Sequence, residues 1–234
     1  MRIGILIIGS LYWEQTECRR NWRDNRLDVA AECHVRVPIR YGRRSRTRGC
    51  SFTMVFSSGL SEEAYGHAIV APCKSEELVG EAEWLWAAER NKGRPSDSIS
   101  ADWGCIALLE NPERRMPQDL REEWAGRISR EPCYGRMFNT PIGEEAPASS
   151  SGHLTIPWPA TLSGVPLDFD VLIGTATNPT IVRGHYADAR EVADAWNNPE
   201  GREHVDYFHN NRESGIRTFQ DAEIERRLAK GPEE

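Results

Sequence analysis

The chain has 234 residues, 39% of them hydrophobic and 28% charged, which describes a folded globular protein and excludes a wholly disordered one. Its 29 Lys and Arg against 36 Asp and Glu give a formal charge of −7. That balance argues against a general nucleic-acid binder and leaves room for a local basic site. No apolar run approaches the about 20 residues of a membrane-spanning helix, and the opening segment lacks the basic start and long apolar core of a secretory signal. A cytoplasmic protein is the expectation.

Residues 3–12 read Ile-Gly-Ile-Leu-Ile-Ile-Gly-Ser-Leu-Tyr, a nearly unbroken apolar run that stops at Gly9-Ser10. An apolar run rich in branched residues predicts a central strand covered on both faces. Gly9 then permits a sharp turn, a φ above zero or a close approach, because it has no Cβ. Two readings follow: a plain core strand with a glycine turn, or a loop whose Ser10 and Leu11 amides hold an oxyanion or carboxylate.

Residues 14–26 are strongly polar and predict a loop or short irregular helix. His34 to Tyr41 alternates, with Val35, Val37, Ile39 and Tyr41 on one face, as a half-buried strand does, and Pro38 marks an edge or bulge. Further strands are predicted over 51–56, 66–71 and 103–109, and a helix from Ser75 that ends near Gly93 and Pro95. Pro117–Ile128 predicts a second helix, through Leu120, Trp124 and Ile128. Residues 139–166, rich in Pro, Ser, Gly and Thr, read as a flexible excursion or lid. A strand over 165–173 and helices over 187–196 and 205–210 follow, and Thr218–Asp221 resembles a capping box before the last helix. Short strands joined by turns favour antiparallel neighbours. The fold expected is α+β: a small mixed β-barrel or strongly curved sheet flanked by helices, with a helical C-terminal extension. Residues 1–138 would form the core, 139–166 the excursion, and 167–234 a strand and helices packed on that core.

Six cysteines, Cys18, Cys33, Cys50, Cys73, Cys105 and Cys133, contain no closely spaced pair. Free thiols are expected, with no structural zinc. Walker A, dinucleotide and nucleophile-elbow motifs are absent from the sequence. His204 and His209, five apart, do not have the helical spacing of a metal pair.

Two groups of residues carry candidate chemistry. Arg36, Arg40, Arg43, Arg44, Arg46 and Arg48 cluster beside a turn with Ser45 and Thr47. Arginine's planar fork suits carboxylate and phosphate, so the cluster reads either as an anion clamp or as a solvated hairpin tip. Glu81 and Glu83 interrupt the most apolar part of the first long helix beside Trp84 and Trp86, and Glu89 lies toward its end. A carboxylate packed among tryptophans is desolvated and becomes a usable general base, whereas most helix glutamates are simply solvated.

The apolar first strand ending Gly9-Ser10-Leu11, followed by strands returning through Gly49 and Gly66, resembles the gamma-glutamylcyclotransferase-like superfamily. Its members carry Tyr-Gly-Ser-Leu or a similar motif after the first strand, and Ile8 stands here in place of the tyrosine. The resemblance spans at most residues 3–109. It implies a small mixed barrel and a cofactor-free reaction in which the amine of a γ-glutamyl group attacks its own γ-carbonyl and releases 5-oxoproline. Gly9, Ser10 and Leu11 would then hold the substrate, with Arg40, Arg43 and Ser45 as further ligands, and the base would be Glu89, Glu83 or Glu81. The competing expectation is a non-catalytic module that holds an anionic ligand or a partner protein through its arginines. A nucleotide-processing or nucleic-acid-associated protein has the arginine cluster as its only support.

Overall fold

Every residue of β1 (Ile3–Ile7) is buried. The computed structural model describes residues 1–45, 51–136, 138–198 and 205–230, and within it β1 is the fourth of seven strands. The sheet is completed by β2 (Cys33–Val37), β5 (Gly66–Pro72), β6 (Ser100–Ala101), β7 (Gly104–Glu110), β8 (Ala160–Thr161) and β9 (Val171–Thr177). Its order is β6-β7-β9-β1-β5-β2-β8. β1 pairs antiparallel with β5, through Ile5 opposite Ala71, and parallel with β9, through Ile5 opposite Ile173. The other pairings in this sheet are antiparallel. The apolar run of β1 thus serves a strand with neighbours on both edges and cover on both faces.

The barrel expectation is corrected. β6 and β8 end the sheet without pairing to each other among the described residues, so it is open and mixed. Pro38 is the physical reason on one side. It has no N–H to give a ladder, and it splits the single strand expected over 34–41 into β2 and β3 (Ile39–Arg44). β3 leaves the sheet and, among the described residues, pairs with β4 (Phe52–Phe56) as a separate hairpin with a register shift between Tyr41 and Arg43. Thr177 Oγ1 reaches the Met54 carbonyl at 3.4 Å, which ties that hairpin to β9.

Six α-helices are described. α1 (Glu17–Arg26) is regular where a loop or irregular helix was expected. α2 (Leu78–Glu89) buries Leu78, Ala82, Leu85 and Trp86. It is ended by Asn91, with φ 53°, not by Gly93. The amides of Asn91 and Lys92 return to the carbonyls of Ala88 and Ala87, at 3.1 and 2.8 Å, a Schellman closure with asparagine in the left-handed position. α3 (Gln118–Ile128), α4 (Ala189–Asn197), α5 (Val205–Glu213) and α6 (Asp221–Lys230) follow. β10 (Ile181–Val182) and β11 (His185–Tyr186) pair with one another ahead of α4, whose N-terminus carries a capping box between Asp188 and Glu191. At α6, Thr218 donates both its amide and its hydroxyl to Asp221 Oδ1, and its Oγ1 accepts the Gln220 amide at 3.2 Å rather than the Asp221 amide of a full capping box.

The strand expected over 165–173 lies at 171–177, in the middle of the sheet, and residues from 139–166 supply edge strand β8 and the bridge between Ala148 and Leu154. Cys18, Cys33, Cys73, Cys105 and Cys133 are free thiols, and Cys50 lies outside the described residues. Burial pushes the Cys105 thiol up to about 12 and the Cys73 thiol higher still, so both behave as small apolar groups. No described helix is long and apolar enough to cross a membrane.

Candidate functional site

Because β1 and β9 run parallel, their carboxyl ends leave a crevice on one side of the sheet, where open α/β sheets commonly bind ligands. The turn after β1 fills part of it. Tyr12 N–H donates to the Gly9 carbonyl at 3.1 Å and Glu14 N–H to the Ser10 carbonyl at 2.9 Å, which folds residues 9–14 into a tight bend. Among the described residues the Leu11 amide meets no acceptor. Gly9 does not have a positive φ. It is needed for close approach instead: a Cβ there would stand 2.6 Å from the Tyr207 hydroxyl of α5.

The crevice is a cavity of 460 Å³. Gly9, Ser10 and Leu11 form one wall. Glu89, Arg90, Asn91 and Lys92, from the end of α2, form another. Arg43, Ser45 and Thr53 enter from the β3–β4 hairpin, Thr175 and Thr177 from β9, Trp103 from the loop before β7, and Tyr207 from α5. Thr175 is 6% exposed and its Oγ1 has no partner among the described residues, leaving a polar atom at the cavity floor.

Arg19, on α1, joins the two walls. Its Nη1 donates to Ser10 Oγ at 2.8 Å and also bonds the Glu14 carboxylate. Its Nε and Nη2 donate to the carbonyls of Ala88 and Glu89, at 3.2 and 3.3 Å, satisfying the last turn of α2. Nη2 also stands 3.8 Å from the Glu89 carboxylate, itself 17% exposed. Arg43 stacks over Trp103, with its guanidinium carbon 5.1 Å from the ring centre, and Trp103 stacks on the buried Trp86 at 4.6 Å. Among the described residues four cationic side chains, Arg19, Arg43, Arg90 and Lys92, line this cavity with one carboxylate, Glu89.

Of the residues singled out in the sequence, Gly9, Ser10, Leu11, Arg43, Ser45 and Glu89 come together here. Glu81, Glu83 and Arg40 do not line the cavity. Glu81 has no exposed side-chain surface and is paired with Arg26, Oε1 to Nη2 at 2.5 Å. Burial pushes its carboxyl above the usual range, against the pull of Arg26. Glu83 stands 3.4 Å from Arg127 Nε. Arg40 lies over the rings of Tyr186 and Phe219, at 4.6 and 5.4 Å, and burial lowers its guanidinium from the usual value. Arg36 is exposed and donates to the Glu62 carbonyl at 2.5 Å. Arg46, Thr47, Arg48 and His204 lie outside the described residues.

Sequence reasoning missed Arg19, Arg90, Asn91, Lys92, Thr175 and Tyr207. Arg90, Asn91 and Lys92 directly follow Glu89, so a helix end placed at Glu89 would have found them. Arg19 sits among Arg20, Arg23 and Arg26 with nothing to distinguish it, and Tyr207 is almost two hundred residues from Gly9.

The fold and the cavity together define an open-sheet α+β protein with a cation-lined cavity at the end of a parallel strand pair. Comparison with known proteins adds no relative: no family model, curated protein or solved structure matches the chain.

Proposed function

We propose that the cavity binds a small anionic amide and that Glu89 is the general base of a cofactor-free, gamma-glutamylcyclotransferase-like reaction. The observation that carries this reading is that the Glu89 carboxylate and the Gly9–Ser10–Leu11 turn line one cavity, with Arg19 tied to both. Arg43 and Lys92 are the cations for the substrate's α-carboxylate. The α-amine of the γ-glutamyl group attacks its γ-carbonyl carbon, and a ring C–N bond forms as the original amide C–N bond breaks. Glu89 takes the proton from the attacking amine and returns it to the departing amine, so the exchange consumes neither water nor an oxidant. The developing oxyanion falls to the turn, where the Leu11 amide is available.

The test is 5-oxoproline release from a panel of γ-glutamyl amines. Glu89→Gln keeps the shape and removes the basicity, so turnover should fall about 10²- to 10⁴-fold with the melting transition unchanged. A second reading, a ligand-binding module without catalysis, is favoured by the excess of cations over carboxylates in the cavity. It takes over if no substrate in the panel is turned over while the protein binds glutamate or an anionic analogue in a way that Arg43→Ala abolishes.

A further inference from the structure

A second cavity, of 470 Å³, opens far from the first in sequence, between α3 and the segment around Ser149–His153. Met116, Trp124 and Ile128 give it an apolar wall, and Glu110, Arg121, Ser151 and His153 bring polar groups to it. None of these residues takes part in the Gly9 cavity.

The polar groups are ordered by the backbone. Gly152, at φ +77°, lets the chain turn back between Ser151 and His153, and the turn closes by bonds from Gly152 N–H to the Ser149 carbonyl at 3.0 Å and from Ser149 N–H to the His153 carbonyl at 2.8 Å. The turn is docked on β7: Leu108 N–H donates to the Gly152 carbonyl at 2.8 Å, and Leu154 N–H to the Leu108 carbonyl at 2.7 Å. Glu110 is the last residue of β7, two positions further on, so the strand fixes its distance from the turn.

Ser151 Oγ lies 3.1 Å from His153 Nδ1, and His153 Nε2 lies 3.3 Å from Glu110 Oε1. Arg121 Nη2 holds the other oxygen of Glu110 at 2.5 Å. Ser149 Oγ is 2.9 Å from Ser151 Oγ and accepts the His153 amide at 3.2 Å, which fixes Ser149 beside both residues. A hydroxyl, an imidazole and a carboxylate in sequence are the parts of a nucleophile, its base and the group that orients the base.

We propose that Ser151, His153 and Glu110 form a serine-nucleophile acyl-transfer site for esters of small apolar carboxylic acids, separate from the Gly9 cavity. The carboxylate of Glu110 keeps the His153 proton on Nε2, leaving Nδ1 to accept. Ser151 Oγ attacks the ester carbonyl carbon as its proton passes to Nδ1, and Arg121 holds the Glu110 carboxylate in place through its bond to Oε2. The C–O bond to the alcohol breaks, and the alcohol leaves with the proton from Nδ1. Water then attacks the acyl-Ser151 ester, giving a proton to Nδ1, and Ser151 departs with that proton as the free acid is released. The apolar wall takes the acyl chain, and Ser151, exposed on its turn, is open to the substrate.

The experiment uses the full chain and an alkyl fluorophosphonate, with p-nitrophenyl butyrate as the ester. Mass spectrometry should find one adduct on Ser151, formed with loss of fluoride, and ester hydrolysis should fall about 10²- to 10⁴-fold in both Ser151→Ala and His153→Gln. Glu110 acts through His153 as a positioning residue, so Glu110→Gln should lower kcat while KM for the ester stays unchanged. Exposed Ser163→Ala serves as the control and should label like the wild type. The proposal is overturned if no adduct forms on Ser151. It is overturned equally if His153→Gln, folded by its melting transition, labels at the wild-type rate, because Ser151 then reacts without its base.

Discussion

A Cβ built on Gly9 would stand 2.6 Å from the hydroxyl oxygen of Tyr207, so the turn after the first strand and helix α5 meet with no side chain between them. Tyr207 is only 5% exposed, and its ring packs edge-on against Trp13 at 5.8 Å and Tyr41 at 6.5 Å. Its hydroxyl is the far end of a stiff side chain held on two sides. Gly9→Ala should therefore destabilise the protein by about 1 to 3 kcal/mol, as overpacking does. Removing the hydroxyl moves the nearest ring atom to 3.6 Å, an ordinary contact. Gly9→Ala with Tyr207→Phe should lose less than the sum of the single variants, which a double-mutant cycle of urea midpoints would measure. Strict additivity would show that the turn yields by moving its backbone.

Arg19 should matter for both stability and the site. Its side chain is 9% exposed and satisfies Glu14, Ser10 and two helix-end carbonyls. Arg19→Ala leaves the Glu14 and Glu89 carboxylates without their shared cation and should cost about 2 to 4 kcal/mol in denaturant unfolding. Arg19→Lys restores the charge without the planar fork and should recover part of that loss. A lysine variant as unstable as the alanine one would show that the fork's geometry dominates over the charge.

Glu81 predicts a pH dependence with a definite sign. Burial raises its carboxyl above the ordinary 4.5, with Arg26 opposing, so the folded state binds its proton more tightly than the unfolded state. Its contribution to stability is then full below 4.5 and is lost as pH rises through the raised value. Relative to Glu81→Gln, which does not titrate, the wild type should lose stability as pH is taken from 4.5 toward neutrality. Chemical denaturation of the two proteins at matched pH values checks it. A wild type that gains on the variant over that range would show that Arg26 outweighs burial.

Much of the site was legible because it is built from two local features. The glycine break after an apolar strand located one wall, and Glu89, near the end of a helix read from its spacing, located the other. The same helix offered Glu81 and Glu83 on equal terms, since a list of residues does not say which turn faces a cavity. Burial against Arg26 removed Glu81 from the cavity, and Glu83 turned to Arg127. Ser151 and His153 were visible only as a polar stretch, because their chemistry depends on a Gly152 turn docked beside Glu110, some forty residues earlier.

By itself the sequence determined the elements whose pattern is local: β1 as a strand buried at every position, and the helices over 118–128 and 189–197. Periodicity and capping act within a few residues, so they can be read along the chain. Tertiary structure alone decided that β9 would run parallel to β1 and that the β3–β4 hairpin would leave the sheet at Pro38. It alone decided, too, that Arg19 and Tyr207 would close on the Gly9 turn. These choices are made between segments distant in sequence, where the cost of burying one face is weighed against every other face available, and no local pattern carries that comparison.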